Sequence, residues 1–167
     1  MTLRLILTRH AKSDWGDPML DDHDRRLNKR GRRDAPRIGA WLGDNGFVPD
    51  SVTVSTARRA QETWNGIATR LGASPDVQMD RRLYHATPDA LMAHAGTGRG
   101  ATHMLIGHNP GMAEAAHRLA GQAPDHPRFA DFPTCATLVL AFDGDDWRAL
   151  DWDAGRVLGF VTPHDLP

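Results

Sequence analysis

The stretch Leu3-Arg4-Leu5-Ile6-Leu7-Thr8-Arg9-His10-Ala11-Lys12-Ser13 runs an apolar segment directly into side chains able to bind or attack a phosphate group. Leu3, Leu5, Ile6 and Leu7 have the length and apolar density of a buried strand, because a parallel strand covered on both faces reads as a near-continuous hydrophobic run. Arg9 and His10 then fall at its carboxyl end. In open α/β sheets that edge receives ligands, since loops and helix N-termini there present free backbone donors. Taken alone, the Arg-His pair reads as a strand end with solvated polar residues ahead of an anion site.

Two more segments end in the same manner. Ser51-Val-Thr-Val-Ser55 is a β-branched strand leading into a helix that ends near Gly72, with Ser55 or Thr56 as its cap and Arg59 in its first turns. Met104-Leu105-Ile106, within Ala101 to Gly107, runs into Gly107-His108-Asn109-Pro110-Gly111 and then a helix over Met112 to Ala120. Between the first two strands, Asn28 caps a helix to about Asp44, with Ile38, Trp41 and Leu42 as its buried stripe, Gly46 closing it and Pro36 as an awkward interior residue. Val77 and Met79 suggest a short strand, Leu83 to Ala86 a connector, and Thr87-Pro88 a capped helix through about Ala95. A hairpin is expected from Thr137–Phe142 and Trp147–Trp152 around Asp143 to Asp146, and a last strand from Gly155 to Val161. The alternation predicts an α/β fold: a single domain over residues 1–167, three-layer α/β/α with a mainly parallel central sheet. Such a sheet brings Arg9, His10, Arg59 and His108 to one edge.

Composition narrows what that edge can do. A chain of 167 residues buries roughly 70% of its unfolded surface, enough for one sizeable core. A single cysteine, Cys135, rules out an internal disulfide and a cysteine-based metal cluster. It suits a reducing cytoplasm. No secretory signal and no membrane-length apolar run is present, so a soluble, unprocessed, cytoplasmic protein is expected, with no membrane partner. A formal net charge of -1 argues against binding nucleic acid by broad electrostatic attraction. Asp21, Asp22, His23 and Asp24 look like metal ligands, but adjacent side chains on an irregular segment rarely converge on one ion, and Arg25 and Arg26 follow to neutralise them. No metal and no cofactor are expected. The basic residues Arg25, Arg26, Lys29, Arg30, Arg32, Arg33 and Arg37 read as a solvated face paired with those aspartates ahead of a docking surface for an acidic substrate.

The quartet has a chemical purpose. A phosphoryl group in transfer spreads charge over three equatorial oxygens, and catalysis is largely positioning and neutralisation of that charge. Two guanidiniums offer forked donors, a second imidazole another, and His10 can attack in line if its other ring nitrogen donates to a carbonyl or carboxylate. Which group accepts that proton is not readable from sequence. Lys12 and Ser13 are candidate substrate contacts or plain loop residues; Asn109 either orients His108 or turns the chain. Trp15 reads as a packing residue ahead of a ligand cover, His85 as a surface or packing residue ahead of a pocket residue, and Cys135 as a buried small residue.

These motifs together resemble the histidine phosphatase, or phosphoglycerate mutase-like, superfamily, and within it the short SixA-type phosphohistidine phosphatases. Thr8-Arg9-His10-Ala11 is similar to the family's Arg-His-Gly motif, and Ser55 with Arg59-Ala60 and Thr63 to its Ser-x-x-x-Arg-Ala-x-x-Thr motif, which selects Arg59 over Arg58. Gly107-His108 resembles the second histidine motif, Leu27 with Gly31 the helix opening, and Leu83-Tyr84-x-Ala86 and Phe132-Pro133-Thr134 the SixA-type group. The resemblance covers nearly the whole chain. It implies that His10 becomes phosphorylated, that Arg9, Arg59 and His108 hold the phosphoryl oxygens, and that water hydrolyses the phosphohistidine.

Two positions depart from the pattern. Ala11 stands where the family has Gly, and residues 64 to 107 contain no Glu, whereas larger members carry one there to protonate an alcohol leaving group. Of the acidic residues in that span, Asp76, Asp80 and Asp89 read as turn or helix-start residues. General acid help is worth ~10² to 10⁴ in rate, so its absence penalises alkoxide leaving groups. An imidazole protonated within the substrate leaves without it. The expected substrate is therefore a phosphorylated protein carrying phosphohistidine; a broad phosphomonoesterase acting on small phosphorylated substrates or phosphoproteins, and a non-catalytic phosphoprotein-binding module, are the alternatives.

Overall fold

A computed structural model describes residues 1–167. Its strands are β1 Thr2–Arg9, β2 Ser51–Ser55, β3 Asp76–Asp80, β4 Thr102–Gly107, β5 Thr137–Asp143 and β6 Arg156–Val161; its helices are α1 Lys29–Asp44, α2 Arg58–Leu71, α3 Pro88–Ala95 and α4 Gly111–Leu119. The six strands form one sheet in the order β3-β2-β4-β1-β5-β6. β1, β2, β3 and β4 pair in parallel, while β5 runs antiparallel to both β1 and β6. The sheet is mixed, with β5 the one reversed strand.

β1 shows why apolar residues of the run Leu3 to Leu7 fall on both faces of the strand, broken only by Arg4, whose guanidinium reaches Thr102 and the Gly46 carbonyl. Leu3, Leu5 and Leu7 enter the core beneath α3 and α4, whereas Ile6 enters the opposite core beneath α1 and α2. From Leu5 to Leu7 both faces of the strand are covered, so successive residues are apolar although they point to opposite sides, and the buried Thr8 beyond them pairs its hydroxyl with Thr137. Burying one such side chain contributes about 1.5–3 kcal/mol, which fixes the strand's register, since a one-residue slip would exchange the two sets.

The helix ends follow local chemistry. Asn28 accepts from the Gly31 N–H to cap α1, and Thr87 accepts from the Ala90 N–H to cap α3. α1 continues through Pro36 without a break. α2 differs from expectation: Ala57 is its N-cap, and the Ser55 hydroxyl instead accepts from the Ala57 N–H at 3.2 Å. The connector Arg81–Leu83 forms a 3₁₀ turn, capped by Asp80, which accepts from the Arg82 N–H.

The expected hairpin is also corrected. Trp147–Ala149 forms a 3₁₀ turn rather than a strand, and β5 pairs with β6. The cause is the Trp147 indole, which is buried edge-on to His103 and donates from Nε1 to the Gly100 carbonyl at 2.9 Å. That anchor draws the chain away from the edge of β5 and leaves it free for Arg156–Val161. Arg30, Arg33 and Arg37 pair with Asp34 of their own helix rather than with the preceding aspartates; only Arg25 with Asp22 and Arg26 with Asp14 follow the expected pattern.

Candidate active site

β2, β4 and β1 are adjacent and parallel, with Arg9 level with Gly107 and Val54 level with Ile106. The residues that leave these strands therefore meet: His10 follows Arg9, His108 follows Gly107, and Arg59 is the second residue of α2, which starts just beyond Ser55. The His10 and His108 ring centroids lie 5.1 Å apart. Arg9, His10, Arg59 and His108 line a cleft of about 240 Å³, together with Lys12, Ser13, Trp15, Arg25, His85, Asn109 and Thr134.

The tautomer of His10 follows from its partners. Nδ1 lies 2.7 Å from the Ala11 carbonyl, which can only accept, so Nδ1 carries the proton. Nε2 lies 3.3 Å from Arg59 Nε, which can only donate, so Nε2 holds a lone pair. Burial first, and the neighbouring His108 second, hold the His10 imidazole neutral well below its ordinary range. A neutral imidazole whose Nε2 is unprotonated can act as a nucleophile once its lone pair is released from Arg59.

The strand end that carries it is clamped from three sides. The Ala11 N–H donates to Thr63 Oγ1, whose hydroxyl donates in turn to the Arg59 carbonyl. The Cys135 N–H reaches the carbonyls of Arg9 and His10, and Asn109 Nδ2 donates to the carbonyls of Asp131 and Phe132. Gly31 packs so closely that a Cβ there would lie 2.2 Å from the Lys12 carbonyl oxygen. Ala11 itself lies outside the left-handed backbone region, so its methyl group is accommodated without strain.

Around His10 the donors converge. Arg59 Nη1 donates to the Asp22 carbonyl at 2.6 Å, and Nη2 donates to Asp22 Oδ2 at 3.0 Å and to His108 Nδ1 at 3.4 Å. His108 Nε2 lies 2.8 Å from Ser55 Oγ. Burial, then Arg59, then His85 lower its pKa to about 3, so the ring is neutral. Because Arg59 can only donate, Nδ1 holds the lone pair and Nε2 carries the proton toward Ser55 Oγ; once the Arg59 guanidinium turns to a bound oxyanion, rotation of the Ser55 hydroxyl allows the other tautomer, with Nδ1–H on the cleft. Arg9 Nη1 donates to the Phe132 carbonyl at 3.3 Å, while Arg9 Nε is buried without a partner. An oxyanion in the cleft satisfies such a donor.

Several residues were not readable in these roles. Asp22, from the 3₁₀ turn Asp22–Asp24, binds Arg59, Arg25 and Tyr84 at once. Partial burial pushes its carboxyl up, but the hydrogen bonds from Tyr84, Arg25 and Arg59 outweigh it and hold the group well below the usual carboxylate range. Arg25 is buried and donates to Ser13 Oγ as well as to Asp22. Trp15 does not pack into a core: it is 70% exposed, borders the cleft, and carries the Arg25 guanidinium 3.4 Å from its ring centroid. His85 likewise lines the cleft instead of serving only the surface. Asn109 makes no bond to His108; its side chain ties the Asp131–Phe132 backbone to the start of α4, accepting from Ala113 N–H. Arg58, exposed and paired with Glu62, points away from this cluster. Cys135 is fully buried, and burial pushes its thiol up, which makes it a poor nucleophile. No three His, Cys, Asp or Glu side chains converge closely enough to hold a metal ion.

A parallel-sheet edge carrying a neutral histidine among arginines has the donors that a phosphoryl group requires, and comparison with known proteins gives the chain's family. The chain belongs to the histidine phosphatase superfamily, branch 1, whose family model matches residues 5–86 and so takes in His10 and Arg59. An uncharacterized protein of Mycobacterium leprae is 33% identical over 165 residues, covering 93% of this chain and 99% of that one. Among solved structures, a protein designated phosphohistidine phosphatase SixA from Agrobacterium tumefaciens is 28% identical, with a TM-score of 0.77 over 96% of this chain and 98% of that one. A second such protein, from Nakamurella multipartitia, shares the fold at 24% identity with a TM-score of 0.79, covering 98% of this chain and 97% of that one. The fold is phosphoglycerate mutase-like.

Proposed function

We propose that residues 1–167 form one histidine phosphatase domain that hydrolyses a phosphoryl group through a covalent intermediate on His10, without a metal or cofactor. The single observation carrying this reading is the His10 tautomer, with Nδ1–H committed to Ala11 and the Nε2 lone pair facing the cleft. Nε2 attacks phosphorus as the leaving group departs. Arg9 and Arg59 neutralise the charge on the equatorial oxygens, His108 donates a hydrogen bond to one of them, and water then attacks phosphorus and releases phosphate. For the oxygens to be reached, the Arg59 Nε–H turns from His10 Nε2 to the incoming phosphoryl group. Lys12, Ser13 and Asn109 border the same cleft and serve as outer substrate contacts.

The favoured substrate is a phosphohistidine on a protein. No carboxyl group lines the cleft, so an alkoxide leaving group has no carboxylic acid to protonate it, whereas the imidazole of phosphohistidine carries its own proton. The cleft, at about 240 Å³, falls below the roughly 300–1,000 Å³ of sites that enclose whole small molecules, which suits a phosphorylated side chain presented by a larger partner. Family membership and the SixA-designated structural relatives support the same reading. A broad phosphomonoesterase is the second reading, favoured by the four cations Arg9, Lys12, Arg25 and Arg59 on the cleft wall, which attract any phosphate.

Phosphate release from a phosphohistidine peptide, p-nitrophenyl phosphate and a sugar phosphate, at equal concentration and with EDTA present, separates these. Preference for phosphohistidine, lost in His10→Ala and insensitive to EDTA, is expected. Comparable turnover of all three substrates would transfer support to the broad phosphatase.

A further inference from the structure

We propose that His85 is the proton donor for the leaving group at this site, and that it opens the cleft to phosphate esters in addition to phosphohistidine; the proposal rests on the phosphatase reading above. His85 lines the cleft with its ring centroid 6.2 Å from that of His108, on the side of the phosphoryl-binding quartet where Tyr84 also stands. The exposed ring packs against Tyr84, with centroids 3.9 Å apart and planes tilted by 41°, and makes no hydrogen bond. Its nitrogens are thus free to meet a ligand.

The backbone beneath it is strained and held. His85 has φ of 58°, a left-handed conformation uncommon outside glycine, although histidine tolerates it better than most residues. Leu83 on one side is fully buried, and the Tyr84 hydroxyl bonds the Asp22 carboxylate that also binds Arg59. On the other side the Ala86 carbonyl oxygen presses on Gly111, where a Cβ would lie only 1.9 Å from it. A strained residue over-determined by its neighbours, with its side chain delivered to a cleft, points to a use for that side chain.

The cleft needs such a group. His10 is the nucleophile, His108 is engaged by Ser55 and Arg59, and guanidinium and ammonium groups hold their protons to high pH. Imidazole both holds and yields a proton near neutral pH. In the first step His10 Nε2 forms a bond to phosphorus, the bond from phosphorus to the ester oxygen breaks, and protonated His85 gives its proton to that oxygen, releasing an alcohol. In the second step neutral His85 takes a proton from water, the water oxygen bonds to phosphorus, and the bond to Nε2 breaks. Phosphate, neutral His10 and protonated His85 remain.

The test compares wild type with His85→Asn, which tolerates the left-handed backbone but carries no proton near neutral pH. The readout is the ratio of kcat/KM for phenyl phosphate to kcat/KM for a phosphohistidine peptide. The ratio is expected to fall by about 10² to 10⁴ in the variant, and added imidazole is expected to restore ester turnover in His85→Gly. An unchanged ratio, with both substrates affected alike, would overturn the proposal, as would a wild-type enzyme that turns over phosphohistidine but no phenyl phosphate. Turnover surviving in His10→Ala would instead overturn the phosphatase route on which the proposal stands.

Discussion

Arg59 can serve a phosphoryl group only if its guanidinium is presented in one orientation, and Asp22 is what presents it. The carboxylate and carbonyl of Asp22 together take two of the guanidinium's edges, and the same carboxylate takes Arg25 and the Tyr84 hydroxyl. Asp22→Asn keeps the shape and removes the charge. We expect kcat/KM to fall by about 10²-fold, the typical cost of a misplaced substrate-binding group, and the melting temperature to fall as well, because the same carboxylate is the counter-charge of the buried Arg25 and Arg59 guanidiniums. An unaltered kcat/KM in steady-state assays would show that Arg59 is held by other means. At this scale the quartet Arg9, His10, Arg59 and His108 was readable in the sequence, because each residue sits at a fixed offset from a strand end. Asp22, Trp15, Arg25 and His85 were not. They reach the cleft from irregular segments, where sequence spacing carries no direction.

At the scale of elements, the site depends on α1 and α2 pressing against the end of β1. Thr63 of α2 bonds the Ala11 N–H, and both residues are fully buried. Thr63→Val preserves volume but leaves that N–H unpaired, which costs about 1–3 kcal/mol; a lower denaturant midpoint at unchanged slope is the expected result. Gly31→Ala drives a methyl group into the Lys12 carbonyl and moves α1 off the strand end. Overpacking of this kind costs about 1–3 kcal/mol, and activity should fall further than stability alone explains, because Lys12 and Ser13 move with it. Strands β1, β2 and β4 and the caps Asn28 and Thr87 followed from local pattern, since their signals lie within a few residues. The β5 partner did not: Trp147 leaves the sheet for a pocket beside His103 and Gly100, a choice made by tertiary packing.

Across the whole molecule, burial of neutral histidines makes stability depend on pH. His10 is shifted well below its ordinary value, His103 to about 4 and His108 to about 3, in each case first by burial. Between those values and the unfolded value of about 6.5 the unfolded chain binds protons that the native state does not, so stability rises with pH through that window. Each of the three groups contributes up to about 1.4 kcal/mol per pH unit. The melting temperature should therefore drop steadily from pH 7 to pH 4.5; a flat profile would mean that these rings are protonated in the native state. The α/β class and the mainly parallel sheet were evident from the alternation of strands with helices, whereas the reversal of β5 depends on long-range pairing that no local pattern encodes.

The central claim is covalent phosphorylation of His10, and it can be seen directly. Enzyme mixed with a phosphohistidine peptide or p-nitrophenyl phosphate and quenched in alkali within the first turnover is digested and mapped by mass spectrometry. The account predicts a phosphoryl group on His10, stable to alkali and labile to acid, and absent from His10→Ala. Turnover with no phosphoryl group on His10, or with one on another residue, would contradict it.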